Sequence, residues 1–116
     1  MTLEFVNEWL EKLREYWLNK EGNKAANLFR NTTFYQETPF LEPYTKYEEI
    51  AKEWENIDNQ DIKKLEFNVL AIDNNTVIVN WIFETNITKF DGICEIKFND
   101  KNECIYFKSW EMKNNL

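Results

Sequence analysis

The stretch FYQETPFLEP, residues 34–43, sets Tyr35 and Glu37 two positions apart in a run rich in aromatic and β-branched residues. Strand side chains alternate between faces, so a phenol and a carboxylate at this spacing point the same way. That pair suits proton transfer: Glu37 as general base, Tyr35 as hydrogen-bond donor to an oxygen on which negative charge develops. Aromatic neighbours, Phe40 and Trp54 among them, would desolvate the charged form of Glu37 and raise its pKa toward a useful value. The same two residues also read as a strand-end carboxylate and a core tyrosine whose hydroxyl is satisfied at the rim. The chain has no histidine, which removes Ser-His-Asp and Cys-His arrangements and the common zinc sites. Acid–base work therefore falls to Glu, Asp, Tyr, Lys or Cys. No carboxylate spacing reads as a metal site, and neither metal nor cofactor is expected.

The elements that position these groups belong to one domain, residues 1–116, for which folding buries roughly 65% of the unfolded surface. Hydrophobic residues at 43% and a charged fraction of 30% describe a globular chain with a wet surface. The net charge of -7 repels phosphate backbones and anionic lipid, so neither nucleic acid nor membrane is an expected partner. Glu4, Glu8 and Glu11 interrupt the amino-terminal apolar pattern where a secretory segment would be continuous, which predicts a cytoplasmic protein. The N-x-T sequences at Asn31, Asn74 and Asn86 are then no glycosylation sites.

Thr2 is placed to cap a first helix whose apolar residues Val6, Trp9, Leu10, Leu13, Tyr16 and Trp17 recur at spacings of three and four. KAANLF predicts a short second helix and TTFYQE a strand, stopped by the loop with Pro39 and Pro43. Thr45 and Glu48 read as a capping box for a third helix carrying Ile50, Ala51 and Trp54. Two hairpins follow. IKKLEFNVLAID and TVIVNWIFET flank Asn74-Asn75 as a type I′ turn, and FDGICEIKF and ECIYFKSWEM turn at Asp100–Asn102. Helices followed by an antiparallel sheet make an α+β fold.

In the first hairpin, turn-based pairing puts Val77, Val79, Trp81 and Phe83 on one face, and Ile78 and Ile82 with Leu65, Phe67 and Val69 on the other. One helical layer covers one face, so the second apolar face predicts a homodimer through the sheet. In the second, Cys94, Ile96, Phe98, Ile105 and Phe107 share a face that Ser109 and Glu111 continue inward. A one-residue bulge would turn Glu111 outward. Closing at NDKN sets Cys94 opposite Phe107 and Cys104 opposite Lys97, so both cysteines are expected as reduced core thiols.

In order, LF, YQETPF, EP, EEIAKEW, VLAID, DGI, KF and a late Trp resemble the nuclear transport factor 2-like superfamily, in its SnoaL-like branch, nearly end to end. Lys46 and Asn102 stand where such proteins often carry turn glycines, and KSWE replaces a frequent REWW. The resemblance implies a cone in which helices pack on a strongly curved, mainly antiparallel sheet around a pocket, commonly in a dimer. It also brings Glu37 near the place of the basic aspartate of ketosteroid isomerases, relatives of the polyketide cyclases. The third helix and the central hairpin then surround the cavity, with Trp54, Trp81, Trp17, Phe40 and Glu111 as candidate lining, although core packing is the ordinary account of every tryptophan. Three functions are consistent with this pattern: binding of a small hydrophobic or aromatic molecule, isomerase, cyclase or dehydratase chemistry on Glu37, and a ligand-free interaction module.

Overall fold

The computed structural model describes residues 1–115. Helix α1, Leu3–Leu18, starts where Thr2 Oγ1 accepts from Phe5 N at 3.1 Å and buries Val6, Trp9, Leu10 and Leu13. Helix α2 covers Gly22–Asn27, earlier than the KAANLF reading, and ends in tight turns from Ala25 and Ala26 carbonyls to Leu28 and Phe29. Its start lies so close to the end of the third helix that a Cβ on Gly22 would meet the Trp54 carbonyl oxygen at 2.2 Å. Strand β1, Phe34–Gln36, is short. Helix α3 is Tyr47–Trp54 and runs on as a 3₁₀ turn, Glu55–Asn59, which the helical spacing does not foretell.

The cap of α3 sits one residue later than the Thr45/Glu48 reading. Lys46 is the capping position, and Glu49 Oε1 accepts from Thr45 N at 3.3 Å and Lys46 N at 3.2 Å. The Lys46 side chain can only donate, so one half of a capping box does the work.

Strands β2 (Lys64–Asp73), β3 (Thr76–Glu84), β4 (Thr88–Phe98) and β5 (Cys104–Asn115) form an antiparallel meander, and β1 joins β5 in parallel, giving the order β1-β5-β4-β3-β2. Asn74 and Asn75 connect β2 to β3, but only Asn74 takes a positive φ, 55°, so the turn is not the type I′ predicted. Asn102 takes φ 62° in the second turn, and Lys46 stays extended.

Two bulges correct the predicted faces. Near the first turn Ile72 faces Val77, but beyond Leu70 the register slips by one, so Val69 faces Val79, Phe67 faces Trp81 and Leu65 faces Phe83. A one-residue slip exchanges faces. Leu65, Phe67 and Val69 therefore join Val77, Val79, Trp81 and Phe83 on one concave apolar face, and they no longer supply a second one. In the other hairpin Cys94 faces Ser109 and Ile96 faces Phe107, a shift of two from the predicted pairing that preserves the faces. A bulge before Phe98 pairs that residue with Cys104, which is buried in the place expected of Ile105. Both cysteines are free, and burial pushes each thiol up to about 12.

The helices cover the concave face. At the closed end Phe29, Phe98 and Val6 are fully buried, and Trp9 meets Phe29 and Phe98 edge to face at 5.6 and 5.4 Å. Arg14 Nε donates to the Leu65 carbonyl at 2.7 Å, tying α1 to the edge strand.

Candidate functional site

Toward the other end the helices and sheet diverge around a cavity of about 280 Å³. Cross-strand rows build its floor: Val79–Cys94–Ser109, Trp81–Gly92–Glu111 and Phe83–Phe90–Lys113. Gly92 is required here, because a Cβ would stand 2.6 Å from Trp81 Nε1 and 2.4 Å from the Trp110 carbonyl oxygen. With that space free the Trp81 indole lies across β4 and donates to Ser109 Oγ at 2.9 Å. Trp17 closes a side, stacked on Phe83 at 5.3 Å, edge to face with Trp54 at 5.1 Å, and donating to Gln60 Oε1 at 2.7 Å.

Tyr35 and Glu37 enter from β1. Tyr35 is held by its pairing with Phe107 and by reciprocal backbone hydrogen bonds with Tyr44, which pin the ends of the two-proline loop at 2.9 and 2.8 Å. Its hydroxyl donates to Glu37 Oε1 at 3.1 Å. Tyr35 is buried, and its pKa lies well above the usual phenol value, first through desolvation and then through the Glu37 charge, so it stays protonated. Glu37 keeps much of its surface open at the cavity rim, yet protein packs around its carboxyl closely enough to raise its pKa. Desolvation is the larger cause and the charge of Glu53 the next, while the Tyr35 hydrogen bond partly opposes them.

Glu53, on α3, accepts from the Tyr44 hydroxyl, which pushes that phenol up to about 12. Glu111 also lines the cavity, half-buried, with its pKa raised by desolvation and tempered by Lys113. No three acidic or sulfur ligands come close enough to hold a metal ion among the described residues.

Of the predicted site residues, Tyr35, Glu37, Trp54, Trp81, Trp17 and Glu111 line this one cavity. Phe40 does not. It stands fully exposed with φ 75°, because the loop pinned at Tyr35 and Tyr44 bows away from the wall. The sequence reading missed Glu53, Gln60, Ser109 and the floor aromatics Phe67, Phe83 and Phe90. Glu53 had a signal: it follows Ile50 by three on α3, at the edge of the buried stripe. Phe67 was hidden by the bulge.

No family model matches the sequence, and no curated protein does. Solved structures do match. SalBIII, an epoxide hydrolase/cyclase-like enzyme with a role in pyran ring formation in the polyether salinomycin, is similar at a TM-score of 0.78 and 10% identity over 97% of this chain and 94% of that one. An NTF-2 like protein of unknown function from Burkholderia xenovorans gives 0.74 at 8% identity, covering 93% and 83%. A steroid delta-isomerase from Pseudomonas aeruginosa gives 0.70 at 13%, covering 93% and 80%. The likeness establishes the fold: an NTF2-like cone, α+β, with helices on a curved, mainly antiparallel sheet.

Proposed function

We propose that the cavity binds a small apolar or aromatic molecule, with a polar group of that molecule meeting Tyr35, Glu37 and Glu53. The enclosure itself carries this reading, an aromatic-walled space of about 280 Å³ that ends on hydrogen-bonded polar side chains. An apolar cavity of about 150 Å³ admits benzene, so this one has room for about two rings. A space of this size also counts against a module whose own aromatics fill the cone. Native and denaturing mass spectra of freshly purified protein test for a retained molecule. Titration with the neutral fluorophore N-phenyl-1-naphthylamine tests the empty protein, with saturable binding expected and a roughly tenfold or greater loss in Trp54→Ala. No retained mass and no saturable binding together overturn the reading.

A second reading makes the same site an enzyme, with Glu37 as general base and Tyr35 as hydrogen-bond donor. Their direct hydrogen bond and the raised Glu37 pKa favour it. Glu37→Gln would then abolish turnover of a carbonyl substrate while the protein stays folded. Equal turnover removes Glu37 from the chemistry.

The homodimer through the sheet now rests on a smaller outer patch. Ile82–Asp91–Met112 and Asn80–Ile93–Trp110 are adjacent rows, with Ile78 beside them. Trp110 and Met112 are exposed. Native mass gives the subunit count directly, and Trp110→Glu is expected to shift it toward monomer.

A further inference from the structure

The cavity's charges are of one sign. Glu37, Glu53 and Glu111 line it, and among the described residues no Lys or Arg does. The relief they receive from inside is neutral: the Tyr35 hydroxyl serves Glu37 and the Tyr44 hydroxyl serves Glu53. Lys113, beside Phe90 on the same face of the sheet but beyond the cavity lining, tempers Glu111, its ammonium 5.8 Å from the Phe90 ring centroid. Carboxylates held together in a partly dry enclosure repel one another and lose hydration. The wall around them is aromatic, Trp17, Trp54, Trp81, Phe83 and Phe90, and ring faces attract positive charge.

Trp54 is 6% exposed, and its indole N–H is buried without a hydrogen-bond partner. It sits beside the Tyr35 oxygen, near enough to favour that oxygen's anionic form. The Trp17 and Trp81 N–H groups both have acceptors within the protein. With the Tyr35 oxygen as its neighbouring acceptor, the buried Trp54 N–H is not left for a ligand, and all three tryptophans meet the cavity through their rings.

We propose, building on the cavity reading above, that the ligand is an organic cation: a protonated amine or quaternary ammonium on an apolar body of one or two rings. The carboxylates supply the counter-charge, the tryptophan and phenylalanine faces receive the alkylated nitrogen, and anionic ligands of the same shape are repelled. The protein's net charge of -7 favours the approach of such a ligand.

A matched pair of probes tests this apart from the cavity itself. 3-(Trimethylammonio)phenol and 3-tert-butylphenol share shape and hydroxyl and differ in charge. Calorimetric titration of both is expected to favour the cation by about tenfold or more. Glu53→Gln and Glu37→Gln should each shrink that preference. Acidification provides a check that needs no variant. The quaternary ammonium does not titrate, so its affinity should fall as the carboxyls protonate, whereas the phenol's should stay level. The groups facing Glu37 across the site are Glu53, Glu111, Tyr35 and Tyr44, and both tyrosines remain protonated throughout. Equal or tighter binding of the tert-butyl probe, or a flat acid profile for the cation, overturns the cation proposal and leaves the cavity reading standing. If neither probe binds, the cation proposal falls, and the mass spectra and the N-phenyl-1-naphthylamine titration decide the cavity reading separately.

Discussion

The two ends of the cone use the same kind of side chain to opposite effect. At the closed end Trp9, Phe29, Phe98 and Phe5 interlock edge to face, with centroids 5.4 to 5.6 Å apart, and fill the space completely. At the open end Trp17 stacks on Phe83 and Trp81 on Phe90, while Phe83 and Phe90 are tilted to each other and Trp54 meets Trp17 edge to face, and these rings line a space instead of filling it. Aromatic content alone thus does not decide between core and pocket. Small neighbours do part of it: Gly92 lets Trp81 lie flat, and Ser109 holds its N–H in place.

The sharpest way to break this contrast is to truncate one ring at each end. Phe29→Ala empties a fully buried site in contact with Trp9, Tyr35 and Phe107, and is expected to cost about 3–5 kcal/mol of stability. Phe67→Ala, at a half-buried position already facing the cavity, should cost well under half of that. Chemical denaturation of the two variants measures the gap, and equal losses would mean that the open end is packed as tightly as the closed one.

A smaller effect is expected from Gly92→Ala. Its methyl group meets both a backbone oxygen and the Trp81 indole, so overpacking of about 1–3 kcal/mol is expected together with loss of the Trp81–Ser109 hydrogen bond. Thermal melting reads the first and tryptophan fluorescence the second. An unshifted spectrum would show that the indole does not depend on Gly92 for its position.

The smallest effect is electrostatic. The native carboxyl of Glu37 holds its proton more tightly than the unfolded chain does. Its contribution to stability is therefore fully present below the unfolded carboxyl pKa and is lost as pH rises through the higher folded value. Glu37→Gln should remove this downward slope above about pH 4. The slope is shallow, because the group keeps solvent contact at the rim. Melting curves of both proteins from about pH 4 to 7 test it, and an unchanged slope would relocate the effect to Glu111, whose pKa is also raised.

The order of elements, the Thr2 cap, the two hairpins and the shared direction of Tyr35 and Glu37 were all legible in the chain, because each follows from neighbours within a few residues. The same holds for the inward position of Glu111, which survives because the β4–β5 register moves by an even number near it and the bulge lies beyond Ile96, at Phe98. Local signals also misplaced some features. Counting back from Asn74-Asn75 sets Leu65, Phe67 and Val69 on the outer face, and only the slip at Leu70 returns them to the cavity side. Hydrophobic alternation cannot report a bulge, because both registers look equally regular along one strand; burial against α1 selects between them. Phe40 was displaced for a related reason, since the backbone pairing of Tyr35 with Tyr44 decides where the loop goes, and the residues joining across it are nine apart.

What the sequence by itself determined is a histidine-free acidic α+β chain with a phenol and a carboxylate on one strand face. Tertiary structure decided what surrounds them. Glu53 comes to Glu37 from a different element, Glu111 from another, and the Trp54 indole comes to lie beside the Tyr35 oxygen. Those meetings arise from helices closing over a curled sheet, and the spacing of residues along one chain holds no record of distances across that closure.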